Sequence, residues 1–164
     1  MREHFERLGA YNAWANERLY SMVAELPAER VDADVGAYFG SIFGTLSHLL
    51  VADRIWMFRL TGEGPVTNDL RERPCDDLTV LWKERQSMDQ RIIAMLASLD
   101  EDALAEMVHY RNTRGEPHAL PRHFILTHLF NHQTHHRGQV HHMLSAEGED
   151  PPPLDLLYFV LPAA

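Results

Sequence analysis

Histidine is concentrated in one stretch of this chain. Seven of its eleven histidines lie between His123 and His142. The segment reads His128-Leu-Phe-Asn-His132-Gln-Thr-His135-His136-Arg-Gly-Gln139-Val-His141-His142. Neutral imidazole is the commonest metal ligand among side chains, and two of them four residues apart on a helix stand side by side. The first chemistry this pattern suggests is that of a bound transition metal.

A helical wheel sorts the cluster. With His132 as origin and a step of about 100° per residue, Ile125, Leu129, His136, Gln139, Val140 and Met143 fall within about 80° of it. This is the apolar face, so His132 and His136 are expected to point inward. His123 and His141 fall opposite, toward solvent, and His128, His135 and His142 lie on the flanks. A single inward histidine is ordinarily a hydrogen-bonded core residue. An inward pair one turn apart needs several polar partners, and a divalent ion satisfies both rings.

Two protein ligands are too few for a zinc site. Of the other histidines, His4, His48, His109 and His118, His48 is the best third ligand because it falls in mid-helix. Ser41, Gly44, Thr45 and Ala52 lie near its angular position, and such small residues leave room for an ion and a ligand. The expected metal ligands are thus His48, His132 and His136. Asp53 falls on the apolar stripe of the same helix. A buried carboxylate needs a partner, so it either holds a ligand histidine in place or pairs with an arginine or tyrosine. No residue stands out as catalytic. Cys75, in Arg-Pro-Cys-Asp-Asp, lacks the basic surroundings that activate a thiol.

These residues must be positioned by helices. Leu8, Tyr11, Ala15, Leu19, Met22 and Leu26 recur at helical spacing, and Pro27 ends that run. A second helix is expected from about Tyr38 to Leu60, stopped by Thr61-Gly-Glu-Gly-Pro65. A third spans about Leu78 to Leu99, capped by Asp76 or Asp77. His109 to His118 reads as a hairpin around Gly115. A fourth helix runs from Pro121 to about Ala146, and an apolar tail, Leu154 to Leu161, packs back. The expected fold is all-α: a single four-helix-bundle domain over residues 1–164, with a short hairpin between helices three and four. Bundles of this kind build metal sites from facing helices.

Composition narrows the function classes. The formal charge of −9 and the scattered arginines argue against a nucleic-acid partner. No apolar run approaches the roughly 20 residues that span a bilayer, so no membrane partner is expected. One cysteine allows no intrachain disulfide, which fits a cytoplasmic location.

The chain resembles the DinB (damage-inducible) family of small metalloproteins, which includes YfiT-like thiol transferases and is unrelated to the DNA polymerase of the same name. The likeness runs along essentially the whole chain: Tyr11-Asn-Ala-Trp14-Ala-Asn16 in the first helix, Leu46-Ser-His48 to Asp53-Arg-Ile-Trp56 in the second, His109-Tyr110 to Gly115 in the hairpin, and Pro152-Pro-Leu-Asp155 to Tyr158 at the end. Asn131-His132-Gln-Thr-His135-His136-Arg137-Gly138-Gln139 is its most specific part. The resemblance implies a four-helix bundle, often a homodimer, and a zinc or nickel ion on one histidine of helix two and an HxxxH pair of helix four, here His48, His132 and His136. His128 or His135 stands close enough in sequence to replace one of them. An exposed apolar face around Trp14 would support the dimer.

Three neutral ligands leave an ion its full charge and an open position. There it lowers the pKa of water toward about 7 or deprotonates a thiol. The expected activity is transfer of a low-molecular-weight thiol to an electrophile. The rivals are a non-catalytic metal-binding stress protein and a metal-dependent hydrolase. His135 and His128 are candidate bases near the mouth. Arg137 and Arg114 either hold an anionic part of a substrate or make surface salt bridges.

Overall fold

The computed structural model describes residues 1–65 and 67–161. Four long helices carry the fold: α1 (Arg2–Val23), α3 (Ile42–Thr61), α4 (Leu78–Ser98) and α6 (Arg122–Ala146). The short helices are α2 (Ala28–Val31), α5 (Glu101–Ala105) and α7 (Leu156–Val160), and the strands β1 (Met107–Arg111) and β2 (Pro117–Pro121) form the hairpin ahead of α6. In the bundle α1 packs on α4 and α6, and α3 packs on the same two. The expected helical bundle with a hairpin between its third and fourth long helices is what the structure shows. No helix among the described residues is long and apolar enough to cross a membrane.

Local chemistry sets the boundaries. Asp77 accepts from Val80 N at 2.9 Å and starts α4, a cap that satisfies one otherwise orphaned donor. The second long helix begins at Ile42 and not near Tyr38. Gly40 turns the chain with φ 81°, and Ser41 then caps the helix by accepting from Gly44 N at 3.0 Å. Tyr38 is left outside the helix, 72% exposed. The hairpin pairs Met107 with Pro121 through Arg111 with Pro117. Its turn is tied by Asn112 Oδ1, which accepts from the Arg114 and Glu116 backbones at 2.9 and 3.0 Å.

Leu19, Leu46, Leu50, Leu81, Ile92, Leu126 and Leu144 are buried in one cluster between the helices. Burial of a leucine or isoleucine side chain contributes about 1.5–3 kcal/mol, and this packing fixes the distance between α3 and α6. The tail returns as expected: Tyr11 donates to the Leu154 carbonyl at 2.7 Å, and Phe159 lies 5.7 Å from Trp14 between ring centres. The Trp14 face is therefore partly covered by the chain's own α7.

Candidate metal centre

The interior of the bundle holds two polar groups of opposite character, and α6 contributes to both. The first is a closed ring. Arg85 makes ion pairs with Asp53 at 2.7 Å and with Asp89 at 2.9 Å. Asn16 donates to Asp89 at 3.1 Å and Asn12 does the same. Arg137 donates to the side-chain oxygens of Asn12, Asn16 and Gln133. Gln133 closes the circuit by donating to Asp53 at 2.5 Å. All seven side chains are buried. Two arginines balance two aspartates, so the ring carries no net charge. Asp53 thus pairs with an arginine and does not hold a ligand histidine. Arg137 is an interior residue, 2% exposed, which removes it from both surface salt bridging and substrate contact. Arg114 sits exposed near the tip of the hairpin.

The second group is the histidine cluster. His48 on α3 faces His132 and His136 on α6, with ring centres 5.1 and 4.7 Å away. The His132 and His136 rings are 4.3 Å apart. His48 Nε2 lies 3.2 Å from His132 Nε2, and one ring nitrogen of each of the three falls within 4.8 Å of the other two. Among the described residues these three alone form such a group. His128 packs edge-on against Trp56 at 5.0 Å. His135 is exposed and stands 3.3 Å from the Gln139 amide nitrogen. Neither displaces a member of the triad.

Neighbouring groups fix which nitrogens face inward. His48 Nδ1 is 2.9 Å from the Leu70 carbonyl. A carbonyl only accepts, so Nδ1 carries the proton and Nε2 keeps its lone pair. His136 Nδ1 donates in the same way to Gln139 Oε1 at 2.7 Å. Burial holds the rings neutral: it pushes His48 down to about 4, and with the neighbouring histidines it pushes His132 down to about 3. His136 is lowered as well, mainly by burial.

Converging neutral lone pairs suit a transition ion. At metal–nitrogen bonds of about 2.0–2.1 Å, tetrahedral ligands stand about 3.3 Å apart, and the His48–His132 pair is already at that separation. Three histidines close together can therefore hold a metal ion. The outer nitrogens of His48 and His136 bond to a carbonyl and an amide oxygen, as those of metal-bound histidines usually do.

The small residues around His48 serve two ends. At one, a Cβ on Gly44 would stand 2.1 Å from the Phe39 carbonyl oxygen. Glycine is thus what lets the 36–41 turn press on α3 and stack Phe39 on His48, 3.8 Å between centres and 16° from parallel. That space belongs to the chain itself. At the other end Ala52 lines a cavity of about 280 Å³, with His48, His132, Trp56, Arg59 and Asn112 among its walls. Sequence reasoning missed Phe39, Leu70 and the role of Gln139. Only Gln139 left a trace, three residues beyond His136 on the inward face.

Fold and site together define a small helical-bundle protein with a three-histidine pocket able to take a metal. A model of the DinB family matches residues 1–163, and the chain belongs to that family. It is 25% identical over 155 residues to Protein DinB of Bacillus subtilis, covering 91% of this chain and 89% of that one. It is also similar in fold to the crystal structure of a DinB-like protein from Bacillus cereus, with a TM-score of 0.64, 17% identity, and 85% and 90% of the two chains covered.

Proposed function

We propose that His48, His132 and His136 hold one divalent transition metal, zinc or nickel, and that the protein uses it to transfer a low-molecular-weight thiol to an electrophile. The convergence of three neutral imidazole lone pairs, with His48 and His132 in the wall of a cavity, carries this reading. A metal there makes a bound thiol far more acidic, and its thiolate a ready nucleophile at neutral pH. The chain supplies the rest. The Leu70 carbonyl and Gln139 hold two imidazoles in the tautomer that faces the cavity. Ala52, Ile55 and Trp56 keep its wall apolar and exclude water. His128, on the same wall and kept neutral by burial, is placed to accept a proton.

Metal content of tag-free protein tests the reading, with wild type beside His132→Ala. About one zinc or nickel per chain, lost in the variant, is the expected result. No metal in the wild type after reloading with either ion would overturn it. Transfer is then read with a bacterial thiol and monochlorobimane. A wild-type rate no higher than that of His48→Ala would leave metal binding without thiol transfer.

The protein is further proposed to act in the cytoplasm as a homodimer. Leu157, Tyr158, Val160 and Leu161 expose apolar surface beside α1, the kind of patch that marks an interface. Sedimentation as a strict monomer would remove the dimer.

A further inference from the structure

The triad cavity does not end at its apolar wall. Arg59, three residues beyond Trp56 on α3, lines both this cavity and a larger one of about 560 Å³ beneath the hairpin. Its guanidinium carbon lies 4.5 Å from the centre of the Trp56 ring and 4.9 Å from that of Tyr110. The side chain is half-buried, yet no carboxylate among the described residues lies within ion-pairing distance of it. The larger cavity adds a second arginine, Arg111. Among the described residues, neither cavity has an aspartate or glutamate in its wall, and Asn68 and Asn112 there are neutral amides. The chain as a whole carries 24 acidic residues against 15 basic ones, so two adjoining acid-free cavities that share a cation run against its general charge.

From this we infer that the natural ligand of the triad cavity carries a carboxylate, and that Arg59 selects it. The reading rests on the proposed metal–thiol function: the thiol sulfur lies at the histidine end, and the carboxylate reaches past Trp56 to Arg59. The two rings stand side by side, their centres 5.4 Å apart and their planes 68° from each other, and this cation–π contact engages none of the guanidinium N–H donors. The N–H edge is left for a planar anion, and a carboxylate matches that fork with two parallel hydrogen bonds. The small volume at the histidine end, near the lower limit for ligand pockets, admits only the reactive end of such a molecule. The remainder has the hairpin cavity to occupy.

The test compares 3-mercaptopropionate with its uncharged methyl ester on cobalt(II)-loaded protein, read by the sulfur-to-cobalt charge-transfer band. Wild type is expected to bind the acid about tenfold more tightly than the ester, the worth of one charge-assisted hydrogen-bonded contact. Arg59→Gln should reduce that ratio to about one, and Arg59→Lys, which restores charge without the fork, should recover part of it. A ratio near one in the wild type, or a ratio unchanged in Arg59→Gln, overturns the inference while leaving the metal site standing. A second arm uses metal-free protein. Iodide should quench tryptophan fluorescence more strongly in wild type than in Arg59→Gln, with acrylamide quenching the two equally. If cobalt fails to bind, the metal reading falls, and this arm alone decides whether Arg59 presents an open anion site: equal iodide quenching rejects it.

Discussion

The buried ring and the histidine triad sit on adjacent faces of α6, one residue out of step. Gln133 and Arg137 serve the ring; His132 and His136 serve the triad. In the ring, each charge meets an opposite charge or an amide, and the sum is zero. In the triad, three lone pairs converge with no cation of the protein to meet them. The same helix thus holds a polar group whose charges the protein balances itself, although Arg85 Nε and Arg137 Nε meet no acceptor, and another whose lone pairs converge on space for a ligand. Burial alone does not separate structural from functional polarity; what separates them here is whether the protein supplies the opposing charge.

The contrast can be broken from the ring side with the largest effect. Asp53→Ala leaves Arg85 with one counter-charge and Gln133 with none, and loss of one partner of a buried pair costs about 3–5 kcal/mol. The unfolding free energy read from urea titration should fall by that amount with or without metal. A change below about 1 kcal/mol would mean that the ring is not the closed unit described. From the triad side, zinc at a hundredfold excess over its dissociation constant should raise wild-type stability by about 2.7 kcal/mol. His136→Ala should abolish that increment, which thermal melts with and without zinc would reveal. Gln139→Ala, which frees the His136 ring to turn, should weaken metal binding by about 10–100-fold, measured by competition with a chelator.

The remaining contrast is in pH, on the metal-free protein. Burial takes His48 from 6.5 in the unfolded chain to about 4 in the folded one. Below pH 6.5 the unfolded chain gains a proton that the folded one refuses, so the unfolded state is favoured. The contribution of His48 is whole above pH 6.5 and is lost as pH falls from 6.5 toward 4. His48→Gln should flatten the decline in urea midpoint across that window. An identical decline in both proteins would show that His48 is not held neutral by the fold.

Much of this was legible in the sequence. Alternating three- and four-residue steps marked the long helices, Asp77 and Pro121 marked two starts, and the wheel of α6 set His132 and His136 on its apolar face. Mid-helix position and small neighbours singled out His48. The ring was legible only at Asp53, the one acid that broke an apolar stripe. Arg85 and Asp89, four residues apart, have the spacing of an ordinary surface pair. Asn12, Asn16 and Arg137 gain their meaning only from side chains on other helices. The small residues near His48 were read as space for a ligand, whereas Gly44 makes room for the chain's own Phe39. Phe39, Leu70 and the hairpin reach the site through loops, whose return path no helical period encodes.

The ring also bears on the order of assembly. Apart from Arg85–Asp89 and Gln133–Arg137, its pairs join side chains from different helices. It cannot close until all four long helices have arrived. If α6 docked one turn out of register, Arg137 would stand where Gln133 now meets Asp53, and the two asparagines would lose their cation. Such a misdocked intermediate would leave buried amides without their partners and would reopen faster than it matured. Ring closure therefore favours one register of α6, and the placing of His132 and His136 against His48 follows from that register.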